Sequence, residues 1–249
     1  MEAEGLIAHD VLAVVLRIAG RDGQQWGEHA DRGAGPLGTV PSVLLWRRAR
    51  DPHADRWALP GGRLGATEDV EASVRRHLAE KVDLAEVAHV EQLSVFSDPH
   101  RGPAPRRVAT AFLGLVPSDA DPAVPADTAW HRVDALPSTA FDHGEITRVG
   151  LDRLRAKLSY TNIGFALAPD VFSISELRRL YAAALGHHVS ATNLQRVLTR
   201  RGVLVPTGTT AAPGPAGGRP AALFRFSEHA LRVTDPFAAL RPPSGAGAV

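Results

Sequence analysis

The sequence predicts an α/β protein in which a mixed β-sheet is covered on both faces by helices and is followed by a C-terminal winged helix-turn-helix. Strand-like and helix-like segments alternate through the first part of the chain, whereas two short helices and a hairpin pattern follow in the last part. The 249 residues, 44% hydrophobic and 22% charged, have the composition of a globular protein. We therefore expect a first domain at 1–159, a second at 160–240 and a disordered, Pro- and Gly-rich tail at 241–249.

Short apolar segments rich in β-branched residues predict the strands of the first domain. Between them, apolar residues recur at every fourth position from Val70 to Val82, which predicts an amphipathic helix with Thr67 as its N-cap. A second helix is predicted over 145–158, with Asp142 as its N-cap. The strands are predicted at 11–18, 43–47, 87–96 and 108–116.

The second domain is predicted from helix caps. Ser173 and Glu176 have the spacing of a capping box, and Gly186 ends the helix that they begin. Ser190 can cap the next helix, which Gly202 can end in a left-handed conformation. Strand-like segments at 203–205 and 221–226 follow, so the order of elements is typical of a winged helix-turn-helix.

Composition and charge exclude several classes of protein. Without cysteine there is no disulfide, thiol nucleophile or Cys-ligated zinc site. The N-terminus lacks the features of a signal peptide, and no apolar run near it could span a membrane, so we expect a cytoplasmic protein. The net charge of +1 conceals an asymmetry: from Ser159 onward there are nine Arg and four acidic residues, whereas 19 basic and 23 acidic residues precede it. This basic part indicates a polyanionic partner, unless the Arg excess reflects the general composition of the source.

The segment from Trp57 to Leu84 resembles the Nudix box and the Leu-Pro-Gly-Gly turn that precedes it. Three positions depart from the family pattern: His77 and Lys81 stand where the family has Glu, and Asp83 stands where it has Gly. The positions that match are Gly62, Glu68, Arg76, Leu78, Glu80 and Leu84. The resemblance implies a Nudix-like fold for the first domain.

The departures bear on the chemistry of the box. Residues 77, 80 and 81 lie one turn apart on a helix, so three carboxylates there could bind Mg²⁺ against a diphosphate. An imidazole at His77 and an ammonium at Lys81 leave Glu80 as the only carboxylate of the three. We therefore expect no metal, no cofactor and no catalytic residues, while Glu68 and Arg76 form a structural pair.

The sequence Phe96-Ser97-Asp98-Pro99, followed by Arg101, Pro103 and Arg106, resembles the loop after the box in the ADP-ribose-handling branch of the family. Arginine suits diphosphate oxygens because its guanidinium can donate two parallel hydrogen bonds. For Arg101 and Arg106 the alternative is a solvated basic loop. The predicted ligand-binding residues are Trp57, Gly61, Gly62, Glu80, Arg101, Arg106 and His143.

The stretch from Tyr160 to Phe226 resembles the winged helix of the Nudix-related transcriptional regulators of NAD metabolism, the NrtR family. The residues that carry this resemblance include the segments 172–177, 193–196, 206–208 and 217–220. The resemblance implies a homodimer on operator double-stranded DNA, with the second helix of the motif in the major groove. We expect Thr192, Gln195 and Arg196 to reach bases. Arg200 and Arg201 are expected to reach phosphates, and Arg219, in the Gly-rich wing, is expected to reach a phosphate or the minor groove.

Three functions are compatible with these patterns. The first is a repressor of NAD biosynthesis or salvage genes, whose catalytically inactive Nudix-like domain senses ADP-ribose or a related nucleotide diphosphate and thereby weakens operator binding. The second is an active nucleotide-diphosphate hydrolase with an appended nucleic-acid-binding domain, which the residues at 77 and 81 disfavour. The third is a regulator of another pathway, such as sugar metabolism.

Overall fold

A computed structural model describes residues 7–19, 39–84, 87–102, 105–211 and 220–235. The tail predicted at 241–249 and the predicted phosphate contact Arg219 lie outside these residues. The first domain contains seven described strands and two α-helices: β1 (Ala8–Ala19), β2 (Val40–Arg47), β3 (Trp57–Ala58), β4 (Gly61–Arg63), α1 (Val70–Val82), β5 (His89–Phe96), β6 (Arg107–Leu115), β7 (Thr128–Arg132) and α2 (His143–Tyr160).

The described strands of the first domain form one mixed sheet, with the central order β3-β2-β1-β6-β5. Strands β1 and β6 are parallel, whereas β1 with β2, β2 with β3 and β5 with β6 are antiparallel. The short strand β4 pairs with β1, and β7 pairs with β2. The long strand β1 is therefore the centre on which the other elements are assembled.

The two faces of β1 bury two different cores. Val11, Ala13 and Val15 pack with Val74 and Leu78 on the α1 side. Successive side chains of a strand point to opposite faces, so the alternate residues Leu12, Val14, Leu16 and Ile18 pack on the α2 side. The predicted mixed sheet between two helical layers is confirmed.

Helix α1 begins two residues later than predicted. Asp69, not Thr67, is the N-cap, and its side chain accepts a hydrogen bond from the backbone N–H of Ala72 at 2.8 Å. Asp and Thr are both good N-caps, so the local sequence did not distinguish them. The intervening Glu68 instead belongs to the loop before the helix.

The second domain contains β8 (Phe172–Ser173), α3 (Ile174–Leu185), α4 (Ala191–Arg200), β9 (Leu204–Thr210) and β10 (Ala222–Phe226). The capping box at Ser173 and Glu176, the cap at Ser190 and the left-handed glycines Gly186 and Gly202 are confirmed. The short strand β8 was not predicted. It pairs with β10, and the three strands form a sheet of order β8-β10-β9.

A continuous apolar core joins the two parts of the chain. Leu154 and Leu158 of α2 belong to the same cluster as Leu180 and Ala184 of α3 and the sheet residue Leu16. Helix α2 therefore packs against the sheet and also against the winged helix. Within the described ranges, no helix has the length and apolarity that a membrane crossing requires.

Candidate functional site

A polar cleft of about 330 Å³ opens beside the box. Its walls come from β1, β4, the end of β2, the last turn of α1 and the start of α2. Because these elements are held by the central sheet, the cleft has a rigid frame, as small-molecule sites usually do. Among the lining residues are Asp10, Trp46, Arg48, Asp51, Gly61, Gly62, Arg63, Lys81, Arg101, Arg107, Phe141 and His143.

Two glycines let the box loop approach the sheet and α1 closely. Gly61 has a φ of +154°, and a Cβ atom there would collide with the backbone of Val11. A Cβ atom on Gly62 would lie 2.6 Å from Cε1 of His77. Any larger residue would therefore push the loop away from β1 and α1, and the cleft would lose its wall.

Glu68 connects the loop that precedes α1 to the helix itself. Its carboxylate accepts hydrogen bonds from Nε of Arg76 at 2.9 Å and from the backbone N–H of Gly65 at 2.7 Å. The hydrogen bond from Arg76 is the main reason that the pKa of Glu68 falls to about 2. Arg76 also binds Glu80 at 3.1 Å. The predicted structural pair of Glu68 and Arg76 is present, and Glu80 extends it.

His77 is directed at the loop. It is buried, and its Nε2 lies 3.1 Å from the carbonyl oxygen of Arg63. Burial lowers its pKa, so the imidazole is neutral near pH 7. His77 therefore contributes to the packing of the loop against α1.

Lys81 supplies a positive charge at the wall of the cleft. Its Nζ donates a hydrogen bond of 2.6 Å to the carbonyl oxygen of Gly61 and lies 4.9 Å from the centre of the Trp46 ring. Burial, followed by repulsion from Arg48 and Arg76, lowers the pKa of this lysine. A bound anion beside Lys81 would favour its charged form again.

The box does not fit a Mg²⁺ ion, which requires oxygen ligands. His77 faces a loop carbonyl, Lys81 faces the carbonyl of Gly61, and the carboxylate of Glu80 is paired with Arg76. In the described part of the chain, no three His, Asp or Glu side chains form a group that could hold a metal ion. The cleft instead has five cationic side chains and two acidic ones.

The acidic residue Asp10 organises much of this positive charge. Its carboxylate lies 3.0 Å from Arg107, 3.6 Å from Arg63 and 4.0 Å from Arg101. Three guanidinium groups thus surround one carboxylate at the base of β1, which leaves an excess of positive charge for an anionic ligand.

Arg101 is held in place by Asp142. The side chain of Arg101 is only 4% exposed and donates to both carboxylate oxygens of Asp142, at 2.8 and 2.9 Å. Asp142 occupies the N-cap position of α2, but its side chain makes no capping hydrogen bond. The expected capping role of Asp142 is therefore corrected: its carboxylate orients Arg101.

His143 completes the wall at the first residue of α2. Its Nδ1 accepts a hydrogen bond of 3.0 Å from the backbone N–H of Leu59. Burial, with repulsion from Arg101 and Arg48, lowers its pKa to about 3. The ring is therefore neutral, and Nε2 carries its hydrogen as a donor.

The structure places the predicted ligand-binding residues in two groups. Gly61, Gly62, Arg101 and His143 line the cleft, whereas Trp57, Glu80 and Arg106 do not. Trp57 packs edge-on against His131, with ring centres 4.2 Å apart. Glu80 is 58% exposed and bound to Arg76, and Arg106 is exposed and donates to the carbonyl of Ser97. The structure therefore places these three side chains outside the cleft, each in contact with another part of the protein.

Several lining residues were missed by the sequence reasoning. Arg48 follows β2 and lies 5.1 Å from the centre of the Phe141 ring. Phe141 has a φ of 51°, a conformation that residues other than glycine rarely adopt. Arg63 lies inside the box, and Arg107 is the neighbour of the predicted Arg106. The Arg-rich loop was a usable signal, but only the fold identifies which of its arginines faces the cleft.

Helix α4 presents a polar face in the second domain. Leu194, Val197 and Leu198 are buried and give the helix its apolar side. The remaining face exposes the predicted DNA-binding residues Thr192, Gln195, Arg196 and Arg200. The guanidinium of Arg196 donates to the side-chain oxygen of Asn193 at 2.7 Å, which holds it along the helix.

Arg201 is not available to a phosphate. Its side chain is 3% exposed and donates to Asp235 at 2.7 Å and to the carbonyl oxygen of Ser159 at 3.1 Å. The expected phosphate contact is therefore corrected, because the segment that carries Asp235 covers this guanidinium. Arg201 instead links the end of α4 to the end of α2.

Two family models match the chain. The NUDIX domain matches residues 32–149, and the NrtR DNA-binding winged helix domain matches residues 164–226. A curated relative, the ADPR responsive transcriptional repressor NtrR of Acinetobacter baylyi, is 29% identical over 74% of this chain and 75% of its own length. The ADP-ribose pyrophosphatase of Methanocaldococcus jannaschii is 31% identical over 43% of this chain and 63% of its own length.

A solved structure is similar over nearly the whole chain. The crystal structure of Shewanella oneidensis NrtR has a TM-score of 0.72 and 26% sequence identity, and the match covers 94% of this chain and 99% of that one. The combination of the two domains is therefore shared, in addition to each domain alone.

Proposed function

We propose that the chain is a Nudix-related transcriptional regulator of the NrtR type, and that it is a DNA-binding repressor of NAD biosynthesis or salvage genes; the two domain matches and the similarity to NrtR over nearly the whole chain support this proposal. In this proposal the cleft of the first domain binds ADP-ribose or a related nucleotide diphosphate, and this binding lowers the affinity of a homodimer for operator DNA. The domain division at residues 159 and 160 and a cytoplasmic location are part of the same proposal.

The observation that carries this proposal is the replacement of a metal-binding carboxylate by Lys81 at the wall of a cationic cleft. A diphosphate needs positive charge and directed donors, which arginine and lysine supply. Arg48, Arg63 and Arg107 line the same cleft, and the rings of Trp46 and Phe141 offer apolar surface beside them. The chain's own cations thus provide the charge that a divalent ion provides in a metal-dependent site.

The same residues oppose hydrolysis. Attack on a diphosphate requires an activated water and neutralisation of the leaving phosphate, and metal-dependent hydrolases obtain both from bound ions. Here Glu80 is paired with Arg76, and His77 is neutral and turned to the loop. We therefore propose that the cleft binds its nucleotide without hydrolysing it.

The DNA-binding part of the proposal depends on α4. Its exposed face carries Thr192, Gln195 and Arg196 on the N-terminal half and Arg200 in the last turn. In a helix-turn-helix the N-terminal half of the second helix meets base edges, whereas arginines at its ends suit phosphates. The basic excess of the C-terminal part supplies the sequence-independent attraction to DNA.

Helix α2 provides the connection between the two activities. It begins at Asp142 and His143 beside the cleft, and its last turn meets Arg201 at the end of α4. A ligand that moves the start of α2 can therefore bias the arrangement of the winged helices, provided that it binds one arrangement more tightly than the other.

A paired measurement tests this function. Isothermal titration of the full chain with ADP-ribose is expected to show binding in the presence of EDTA, whereas incubation with Mg²⁺ or Mn²⁺ yields no AMP above the background. Turnover on the order of one per second, which is ordinary for an enzyme, would instead establish the hydrolase alternative. Replacement of both His77 and Lys81 by Glu provides the comparison, because it restores the carboxylates that are absent from the box.

A further inference from the structure

A second cavity, of about 890 Å³, lies where the first domain meets helix α3. One wall is formed by the start of β2 and by α2, and the other by α3 and the turn that follows it. This volume falls within the range of about 300–1,000 Å³ that is typical of small-molecule sites. None of the residues that line this cavity lines the cleft beside the box.

The cavity combines apolar surface with positive charge that lacks a partner. Val40, Leu151 and Ala182 supply an apolar surface, while Arg148 of α2 and Arg178 of α3 supply guanidinium groups. In the part of the chain that the structure describes, neither arginine has an ion pair or a side-chain hydrogen bond. Each therefore retains its hydrogen-bond donors for an external anion.

The acidic residues of the cavity are already neutralised. Asp134 is paired with Arg132 at 2.7 Å, and Asp152 is paired with Arg155 at 3.2 Å. Neither carboxylate forms an ion pair with Arg148 or Arg178 among the described residues. The surplus charge of the cavity is positive, and it comes from both walls.

We propose that this cavity is a second binding site, which takes a phosphorylated small molecule with an apolar ring, of the size of a mononucleotide. The phosphate accepts hydrogen bonds from Arg148 and Arg178, and the ring packs against the apolar surface. A second copy of this chain is a poorer occupant, because a two-fold interface sets the same patch against itself and so opposes arginine to arginine.

The position of the site connects ligand binding there to the placement of the winged helix. One guanidinium belongs to α2 and the other to α3, so a phosphate held by both fixes the winged helix against the first domain. A second metabolite can thereby act on the same equilibrium as the ligand of the cleft. The site itself does not depend on the function proposed for the cleft.

Equilibrium dialysis of the full chain with radiolabelled AMP tests this site. We expect Arg178→Gln and Arg148→Gln each to weaken AMP binding by on the order of tenfold, as loss of a charge-assisted hydrogen bond does. Arg179→Gln is the matched control, because it removes the next arginine of α3, which does not line the cavity. Arg179→Gln is expected to bind AMP within twofold of the unaltered chain, and Lys81→Gln shows how much of the AMP binding takes place in the cleft instead.

A blocking variant gives an independent test. Ala183→Trp places a large side chain in the cavity and is expected to abolish AMP binding while ADP-ribose binding and the unfolding transition are retained. Absence of AMP binding by the unaltered chain, or its loss only in Lys81→Gln, would overturn the second site. A change of oligomeric state in Arg178→Gln without an effect on AMP would also overturn it, in favour of an interface between copies.

Discussion

Replacing Lys81 by Gln is the most informative single perturbation of the cleft. Glutamine retains a donor for the carbonyl of Gly61 but removes the positive charge, so it separates electrostatics from packing. We expect the variant to fold with an unchanged unfolding cooperativity and to bind ADP-ribose more weakly. The reason is that one of five cations in the cleft is lost.

The expected loss of ADP-ribose affinity follows from the interaction that the substitution removes. A charge-assisted hydrogen bond contributes about 1.5–3 kcal/mol, which corresponds to roughly 10- to 150-fold in affinity. A bare ion pair at about 4 Å with an effective dielectric constant of about 20 gives about 4 kcal/mol, which we treat as an upper limit because Lys81 also binds Gly61. We therefore expect a loss of about 10- to 100-fold.

Isothermal titration in EDTA measures this loss, with Arg106→Gln as the matched control. Arg106 is a cation of the neighbouring loop that lies outside the cleft, so its replacement is expected to change the affinity less than about twofold. The pKa of Lys81 is lowered in the free chain, so a bound anion raises it and binding takes up protons. The affinity should consequently fall as the pH rises through the pKa of this lysine. An affinity for Lys81→Gln equal to that of the unaltered chain would refute the assignment of this lysine.

Three further predictions concern other parts of the molecule. Arg201→Ala should lower the free energy of unfolding by about 3 kcal/mol in urea titrations, because it removes a buried guanidinium that pairs with Asp235 and donates to the carbonyl oxygen of Ser159. A loss of DNA affinity at unchanged stability would contradict the corrected role. Arg196→Ala should weaken binding to selected DNA more than to random DNA in anisotropy titrations, whereas Arg200→Ala should weaken both equally and reduce the salt dependence; the reverse pattern would exchange their roles. The pKa of His143 is about 3 in the folded chain and about 6.5 in the unfolded chain, so the stability that its neutral ring contributes is present above pH 6.5 and declines as the pH falls towards 3. His143→Gln should therefore lower the free energy of unfolding less at pH 5 than at pH 7. The same loss at both pH values would contradict the argument from burial.

Patterns that are local in sequence predicted much of the fold. The four-residue period of α1, the capping box at Ser173 and the left-handed glycines Gly186 and Gly202 each depend on residues within one or two helical turns. The short strands β3, β4 and β7 were missed because they span only two to five residues, too few for a period to be detected.

The cleft was less predictable because its contacts are distant in sequence. Arg101 is paired with Asp142, which lies 41 residues away, and this partner replaces the capping role that the local sequence favoured. Arg107 faces Asp10 across parallel strands, whereas its neighbour Arg106 remains exposed outside the cleft. The burial of Arg201 likewise depends on Asp235, which comes from the segment after the wing.

The coupling between the cleft and the winged helix is the central claim, and one titration tests it most directly. Operator DNA selected from random duplexes is titrated with the full chain at increasing ADP-ribose concentrations, and ADP-ribose is titrated with and without operator. A dimer must hold its two recognition helices about 34–36 Å apart to reach successive major grooves, so a small rotation suffices to weaken the complex. We predict that ADP-ribose lowers operator affinity and that operator lowers ADP-ribose affinity by the same factor. Tight ADP-ribose binding with unchanged operator affinity would contradict the claim.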